Sequence, residues 1–167
     1  MADEELFFFG EFDHTLDSQC RVSLPSEWRR ADSDLHLILF PGRDRDLLLF
    51  PYDMFREFLL KARRGALADA AAQTALAQIG RVVRDIRPDK QGRIRLEREM
   101  LNRIGVGNQL KMIGAVTHVK LCAPENWHPA EPGATGEFLD EVQKLNAQNN
   151  GDPLTLLQQV VSGARRS

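Results

Sequence analysis

Apolar and polar residues alternate with a period of two along Arg21-Val-Ser-Leu24 and again along Arg93-Ile-Arg-Leu96. Such alternation predicts two short strands, with Val22 and Leu24, or Ile94 and Leu96, on one face and Arg21 and Ser23, or Arg93 and Arg95, on the other. An extended run precedes each (residues 8–16 and 81–86), joined to it by a polar turn (17–20 and 89–92). A short helical segment follows each, residues 26–30 or 98–104, with Gly105 placed as a C-cap for the second. Apolar runs at 35–40 with 47–50, and at 110–113 with 116–121, predict the strands that close each series, and residues 42–46 read as a hairpin loop. Between the two series, residues 52–64 put Phe55, Phe58, Leu59 and Ala62 on one helical face, and Gly65 ends that helix. The alanine-rich stretch 66–79 contains no Gly or Pro and predicts a second helix. Past Trp127, the residues Pro129, Pro132, Gly133 and Gly136 read as a linker. A helix at 137–148 follows, with Phe138, Val142 and Leu145 on one face, and then a short segment at 153–161.

The two series are copies of one another. An offset of 72 lays Asp17 on Asp89, Gln19 on Gln91, Arg21 on Arg93, Val22 on Ile94 and Leu24 on Leu96, and it also lays Phe55 on Trp127. Agreement at both ends of a unit of about 45 residues argues for internal duplication rather than coincidence. The chain therefore divides into an N-terminal extension (1–6), a first half (7–55), a helical linker (56–80), a second half (81–128) and a linker with a helical tail (129–167). The fold class expected is α+β.

Composition narrows the function. An apolar content of 43% fits an ordinary globular chain. No apolar run is long enough to span a bilayer, and Phe7–Phe9 behind an acidic start is too short for a signal-peptide core, so a cytoplasmic location is expected. The net charge of −2 hides a strong asymmetry. Residues 1–20 carry Asp3, Glu4, Glu5, Glu11, Asp13 and Asp17 and no Lys or Arg. Residues 81–103 carry Arg81, Arg84, Arg87, Lys90, Arg93, Arg95, Arg98 and Arg103 against Asp85, Asp89, Glu97 and Glu99. A nucleic acid would be met by this local patch, with affinity raised by linking several subunits.

Catalytic and metal chemistry find no foothold in the sequence. Cys20 and Cys122 are far apart and expected to be free thiols. The four histidines, His14, His36, His118 and His128, lack metal-ligand spacing, and Gly105-Val-Gly107 sits in no phosphate-loop pattern. No enzyme activity, cofactor, metal or small-molecule ligand is expected. Trp28 and Trp127 follow apolar patterns and are expected in the core or a subunit interface. Arg29, Arg30, Arg63 and Arg64 read equally as solvated ends or as phosphate contacts.

The repeated Asp-x-x-x-Arg is the candidate for chemistry. An Asp opening a tight turn can bond the turn's own N–H groups and also reach the guanidinium four residues on, holding the arginine in one orientation. Gly92 supplies a positive φ where such a turn needs one. An arginine held at the tip of a β-ribbon suits a phosphate, or the O6/N7 edge of guanine in a major groove. The plainer alternative is a surface ion pair that only caps a hairpin.

The pattern Phe8-Phe-Gly-Glu-Phe-Asp-His-Thr-Leu-Asp17…Arg21-Val-Ser-Leu-Pro25, joined to Asp89-Lys-Gln-Gly-Arg93-Ile, resembles the MraZ family of AbrB-like (SpoVT–AbrB) proteins over about residues 7–127. The resemblance implies duplicated swapped-hairpin β-barrel halves with inserted helices. It implies a nucleoid-associated transcriptional regulator of bacterial division and cell-wall genes, usually a repressor, that binds double-stranded DNA at direct repeats upstream of its own operon. It also implies a ring-shaped homo-oligomer. By that resemblance Asp17, Arg21, Asp89 and Arg93 match the recognition positions. Arg21 and Arg93 would meet DNA, helped by Arg95 on the same strand face and by Lys90, Gln19 and Gln91 in the turns. Asp17 and Asp89 would orient the arginines, since a carboxylate is repelled by phosphate. The sequence departs from the family at Cys20, where Gly is usual, which admits a strained or different turn. It departs again at Leu96-Glu97, where a step into Pro is usual. An oligomeric scaffold or partner-binding module, its arginines serving subunit interfaces, is the alternative function.

Overall fold

The computed structural model describes residues 5–29, 35–65 and 69–149. Their strands are β1 (Glu11–Thr15), β2 (Arg21–Ser23), β3 (Leu37–Pro41), β4 (Asp46–Pro51), β5 (Arg84–Ile86), β6 (Arg93–Arg95), β7 (Gln109–Gly114) and β8 (Val119–Cys122). The helices are α1 (Tyr52–Gly65), α2 (Ala70–Gly80), α3 (Arg98–Arg103) and α4 (Thr135–Asn149), with 3₁₀ turns at Ser26–Trp28 and Pro124–Asn126. The α+β class is thus observed. The predicted segment 153–161, residues 1–4 of the 1–6 extension, Arg30 and the start of the 66–79 helix lie outside the described residues.

Six strands form an antiparallel sheet in the order β1-β7-β8-β4-β3-β5, and β2 pairs with β6 in a separate ribbon. Exchange each strand for the one four later, and the order of the large sheet reads the same in reverse. β1 lies against β7 of the other half, and β5 against β3. An extended run joined by a polar turn to the next strand leads one to expect that each half presents its own arginine-tipped hairpin, and the structure corrects that expectation. β1 and β2 share no ladder, and the two-stranded ribbon takes one strand from each half. Period-two alternation fixes which face of a strand is buried but is silent on its partner.

The hydrophobic pattern explains the layers. β3 and β4 are apolar on both faces and are buried on both. Leu37, Leu39, Leu47 and Leu49 enter the main core with Val22, Leu24, Ile94, Leu96, Leu110, Met112, Val119 and Leu121. Ile38, Phe40, Leu48 and Phe50 face a second cluster that Phe55 of α1 closes, with Phe58 packed beside it. Leu59, placed on the buried face of α1 by periodicity, is 39% exposed at that face's margin. Trp28 anchors the main core, with Phe8 and Phe12 edge-on to its ring at 5.6 and 5.1 Å. Its indole N–H donates to the Phe9 carbonyl (2.9 Å).

Two boundaries move for identifiable reasons. Residues 81–83 end helix α2 rather than begin β5, because Arg81 N–H and Val82 N–H still bond to Ala77 and Ile79 carbonyls. Val116 lies outside β8, in the left-handed region (φ +64) at the β7–β8 turn. A β-branched residue is disfavoured there, and two main-chain bonds to Phe8 (2.8 and 2.9 Å) hold it. The C-cap of α3 is Ile104, and Gly105, expected as the cap, is the left-handed residue (φ +77) one place beyond it.

Candidate nucleic-acid interface

The ribbon brings the two Asp-x-x-x-Arg motifs together. In β2–β6, Arg21 stands opposite Arg95, Val22 opposite Ile94, and Ser23 opposite Arg93. Alternation sends Val22 and Ile94 into the core and leaves Arg21, Ser23, Arg93 and Arg95 on the outer face. Leu24 N–H bonds to the Gly92 carbonyl and Leu96 N–H to the Cys20 carbonyl, both at 2.9 Å, so each turn is tied to the opposite strand.

The turns are built alike. Asp17 Oδ1 accepts from the main-chain N–H groups of Gln19 and Arg21, both at 2.9 Å, and Oδ2 accepts from Arg21 Nε at 2.8 Å. Asp89 does the same for Gln91, Arg93 and Arg93 Nε, all at 2.9 Å. Cys20 and Gly92 N–H close the turns onto the Asp17 and Asp89 carbonyls. Each carboxylate therefore fixes its turn and its arginine with the same group. It engages Nε, which leaves the terminal guanidinium nitrogens, where most of the donors lie, for a partner. Cys20 adopts φ +57 where Gly92 has +75. The departure from glycine thus leaves the turn type and the Asp–Arg bond unchanged, at the cost of a left-handed residue carrying a side chain.

Electrostatics follow from these bonds. The Arg21 main-chain N–H, followed by its guanidinium and the Gln19 N–H, holds the Asp17 carboxyl below its ordinary value; Arg93 and Gln91 do so for Asp89. Both aspartates are ionised at neutral pH and keep their arginines aligned. Arg21 and Arg95 face one another directly, a like-charge pairing that is unfavourable until an anion bridges it. Lys90, Gln19 and Gln91 are exposed in the turns, so all the expected site residues lie on the ribbon or at its ends.

Arg29, read from the sequence as a solvated end or a phosphate contact, makes a contact with the ribbon that sequence reasoning did not foresee. Arg29 Nε and Nη2 donate to the Leu24 carbonyl at 2.8 and 2.6 Å, and its guanidinium lies over Gly92, where an added Cβ would come within 2.4 Å of Nε. The signal was slight, because the position 72 residues later is Leu101 and the repeat gives no hint of it. Elsewhere, burial lowers the pKa of His14 and His118, and raises that of the Cys122 thiol. Among the described residues no cluster of His, Cys, Asp and Glu could hold a metal, and no helix is long and apolar enough to cross a membrane.

Comparison with known proteins meets the resemblance seen in the motifs. Residues 7–78 match the family model described as "MraZ protein, putative antitoxin-like". That span contains the first motif and ends before the second. A protein of Herpetosiphon aurantiacus named transcriptional regulator MraZ is 28% identical over 138 residues, which is 83% of this chain and 93% of that protein. One of the same name from Thermomicrobium roseum is 28% identical over 120 residues, 72% of this chain and 84% of its own length. A third, from Bifidobacterium longum, is 26% identical over 127 residues, 76% and 84% of the two chains.

Proposed function

We propose that this MraZ-like chain is a sequence-specific DNA-binding transcriptional regulator. The observation that carries the reading is the convergence of Arg21 and Arg93, 72 residues apart in sequence, onto one face of a two-stranded ribbon with equivalent aspartate supports. Such a ribbon fits a major groove, where an oriented guanidinium can bond the O6 and N7 of guanine or a phosphate. Orientation by Asp17 and Asp89 lowers the entropy lost on contact. Arg95 adds charge on the same face, and Lys90, Gln19 and Gln91 reach outward from the turns.

The relatives' name supports the regulatory role. The family resemblance supports the finer reading: repression of the chain's own division and cell-wall operon, direct repeats as operator, a ring-shaped homo-oligomer, and a swapped-hairpin origin for the paired halves. Self-assembly would also cover apolar side chains that the single chain exposes, among them Phe138, Leu139 and Val142 of α4. The reading requires neither cofactor nor catalytic group.

A gel-shift titration tests it, using the region upstream of the chain's own gene at two salt concentrations with scrambled competitor. Wild type is expected to bind tightly, to weaken as salt rises, and to resist the competitor. Arg21→Ala/Arg93→Ala is expected to lose that preference while keeping its thermal midpoint. Wild-type-like binding by the double variant refutes the assignment. Dissociation of the oligomer by the same variant, with no DNA bound by either protein, favours the scaffold alternative.

A further inference from the structure

We infer that a second, sequence-independent DNA contact exists beside the ribbon, in an arginine-lined groove formed where the β3–β4 hairpin loop meets β5, β6 and α3. This inference rests on the DNA-binding reading above. The groove begins where Gln19, Cys20 and Arg95 border a shallow depression that continues past Arg84 and Glu97. Arg84 and Glu97 also line the next concavity, about 480 Å³, together with Arg45, Arg81, Arg103 and Glu99. The two depressions thus share a wall, and the path runs from the arginine face of the ribbon to the β3–β4 hairpin loop.

Two of its arginines are held in place. Arg84 is bound by Glu97 through Nε (2.6 Å) and Nη2 (3.3 Å) and by the Arg81 and Val83 carbonyls through Nη1. Arg103 is bound by Glu99 (2.6 Å). Arg45, at φ +54 in the hairpin loop, has a guanidinium that lies near Gly105, with no hydrogen bond or ion pair to any described residue. Arg84 is thus fixed as part of the wall, while Arg103, held through Nη2 alone, keeps donors for a phosphate and loses little entropy on meeting one.

The duplicated halves provide an internal control. Seventy-two residues before Arg81, Arg84, Glu97 and Arg98 stand Phe9, Phe12, Pro25 and Ser26, and 72 after Arg45 stands Thr117. In the first half the space is taken by Phe12 against Trp28, and the end of the ribbon is closed by Arg29 across Gly92. Among the described residues, the positions of the first half that correspond to Arg81, Arg84, Glu97 and Arg98 are therefore apolar or uncharged where those of the second carry charge. Continuity with Arg95 assigns the occupant as the sugar–phosphate backbone flanking the bases met by the ribbon, because phosphate contacts set register without reading sequence.

The test uses the full chain, with Arg45→Ala/Arg103→Ala and, separately, Glu99→Gln, titrated against operator and scrambled duplexes over a salt series. The double variant is expected to weaken both duplexes by the same factor and to reduce the slope of log K against log salt by about 2, roughly one per phosphate contact. Glu99→Gln, which removes the charge of an exposed carboxylate without changing its shape, is expected to strengthen both equally. An unchanged slope in the double variant overturns the inference, as does a loss confined to operator DNA. A change in oligomer mass by sedimentation without DNA also overturns it, and makes the groove a protein contact. Operator preference retained by Arg21→Ala/Arg93→Ala would fail the ribbon reading instead, whatever the groove variants do.

Discussion

Replacing Gly92 by alanine isolates what distinguishes the two turns. Both turns place their fourth residue in the left-handed region, Gly92 at φ +75 and Cys20 at φ +57. A side chain at Gly92 therefore incurs a backbone cost of about 1 kcal/mol that Cys20 already bears. It also collides with Arg29, whose Nε, Cζ and Cδ lie 2.4, 2.5 and 2.7 Å from the added Cβ. Arg29 is flexible enough to leave, but leaving breaks its two bonds to the Leu24 carbonyl. Hydrogen bonds from a charged donor are worth about 1.5 kcal/mol at the low end, the value suited to an exposed side chain sharing one acceptor. Gly92→Ala should then cost about 2–3 kcal/mol, while Cys20→Ala, which keeps its φ and loses only one half-buried thiol, should cost about 1 kcal/mol or less. Urea unfolding of both variants measures the difference. Arg29→Ala completes a double-mutant cycle, since in the Gly92→Ala background it has no bond left to lose, giving a coupling of about 1 kcal/mol or more. Equal losses at the two turns, or additivity between Gly92 and Arg29, would refute the reasoning.

Asp89→Asn should weaken operator binding while leaving the far-ultraviolet circular dichroism unchanged, because the amide cannot hold the Arg93 guanidinium by charge; undiminished affinity would show that the arginine needs no orientation. The folded pKa values of Asp17 and Asp89 lie below their unfolded values, so their contribution to stability is complete above the unfolded aspartate value of about 3.9 and is lost as pH falls through the folded values. Thermal midpoints measured from pH 5 to pH 2 should fall less steeply for Asp17→Asn/Asp89→Asn than for wild type, and parallel curves would contradict the linkage. Trp28→Ala removes a side chain that is 1% exposed and bonded to the Phe9 carbonyl, and should cost about 3–5 kcal/mol in denaturant unfolding.

Much of this arrangement was legible in the sequence because it is local. The Asp17 and Asp89 turns, the buried faces of β2 and β6, and the left-handed Gly105 after α3 each depend on residues within about five positions, where turn chemistry and alternation act. The partners of the strands were not legible. Nothing in Arg21-Val-Ser-Leu24 says that it lies on Arg93-Ile-Arg-Leu96 rather than on the run before it, because side-chain alternation is indifferent to which edge supplies the hydrogen bonds. Arg84 was counted as one of eight bases, yet its bond to Glu97 makes it part of a built groove, a pairing 13 residues apart that no helical or strand period suggests. Leu59 failed for a different reason: a helix on a narrow sheet covers only part of its apolar stripe, and Phe55 and Phe58 already fill the contact.

The exchange of β1 and β5 between the halves has a consequence for the chain as an object to be cut. Opening the peptide between α1 and α2 would give two pieces, each missing a strand that its own sheet requires: the first would carry β3 without β5, and the second β7 without β1. Neither piece could complete a core by itself, yet together they would hold every pairing of the intact fold. Two separately expressed fragments should therefore be unstructured apart and fold on mixing, with a stability that rises with their concentration.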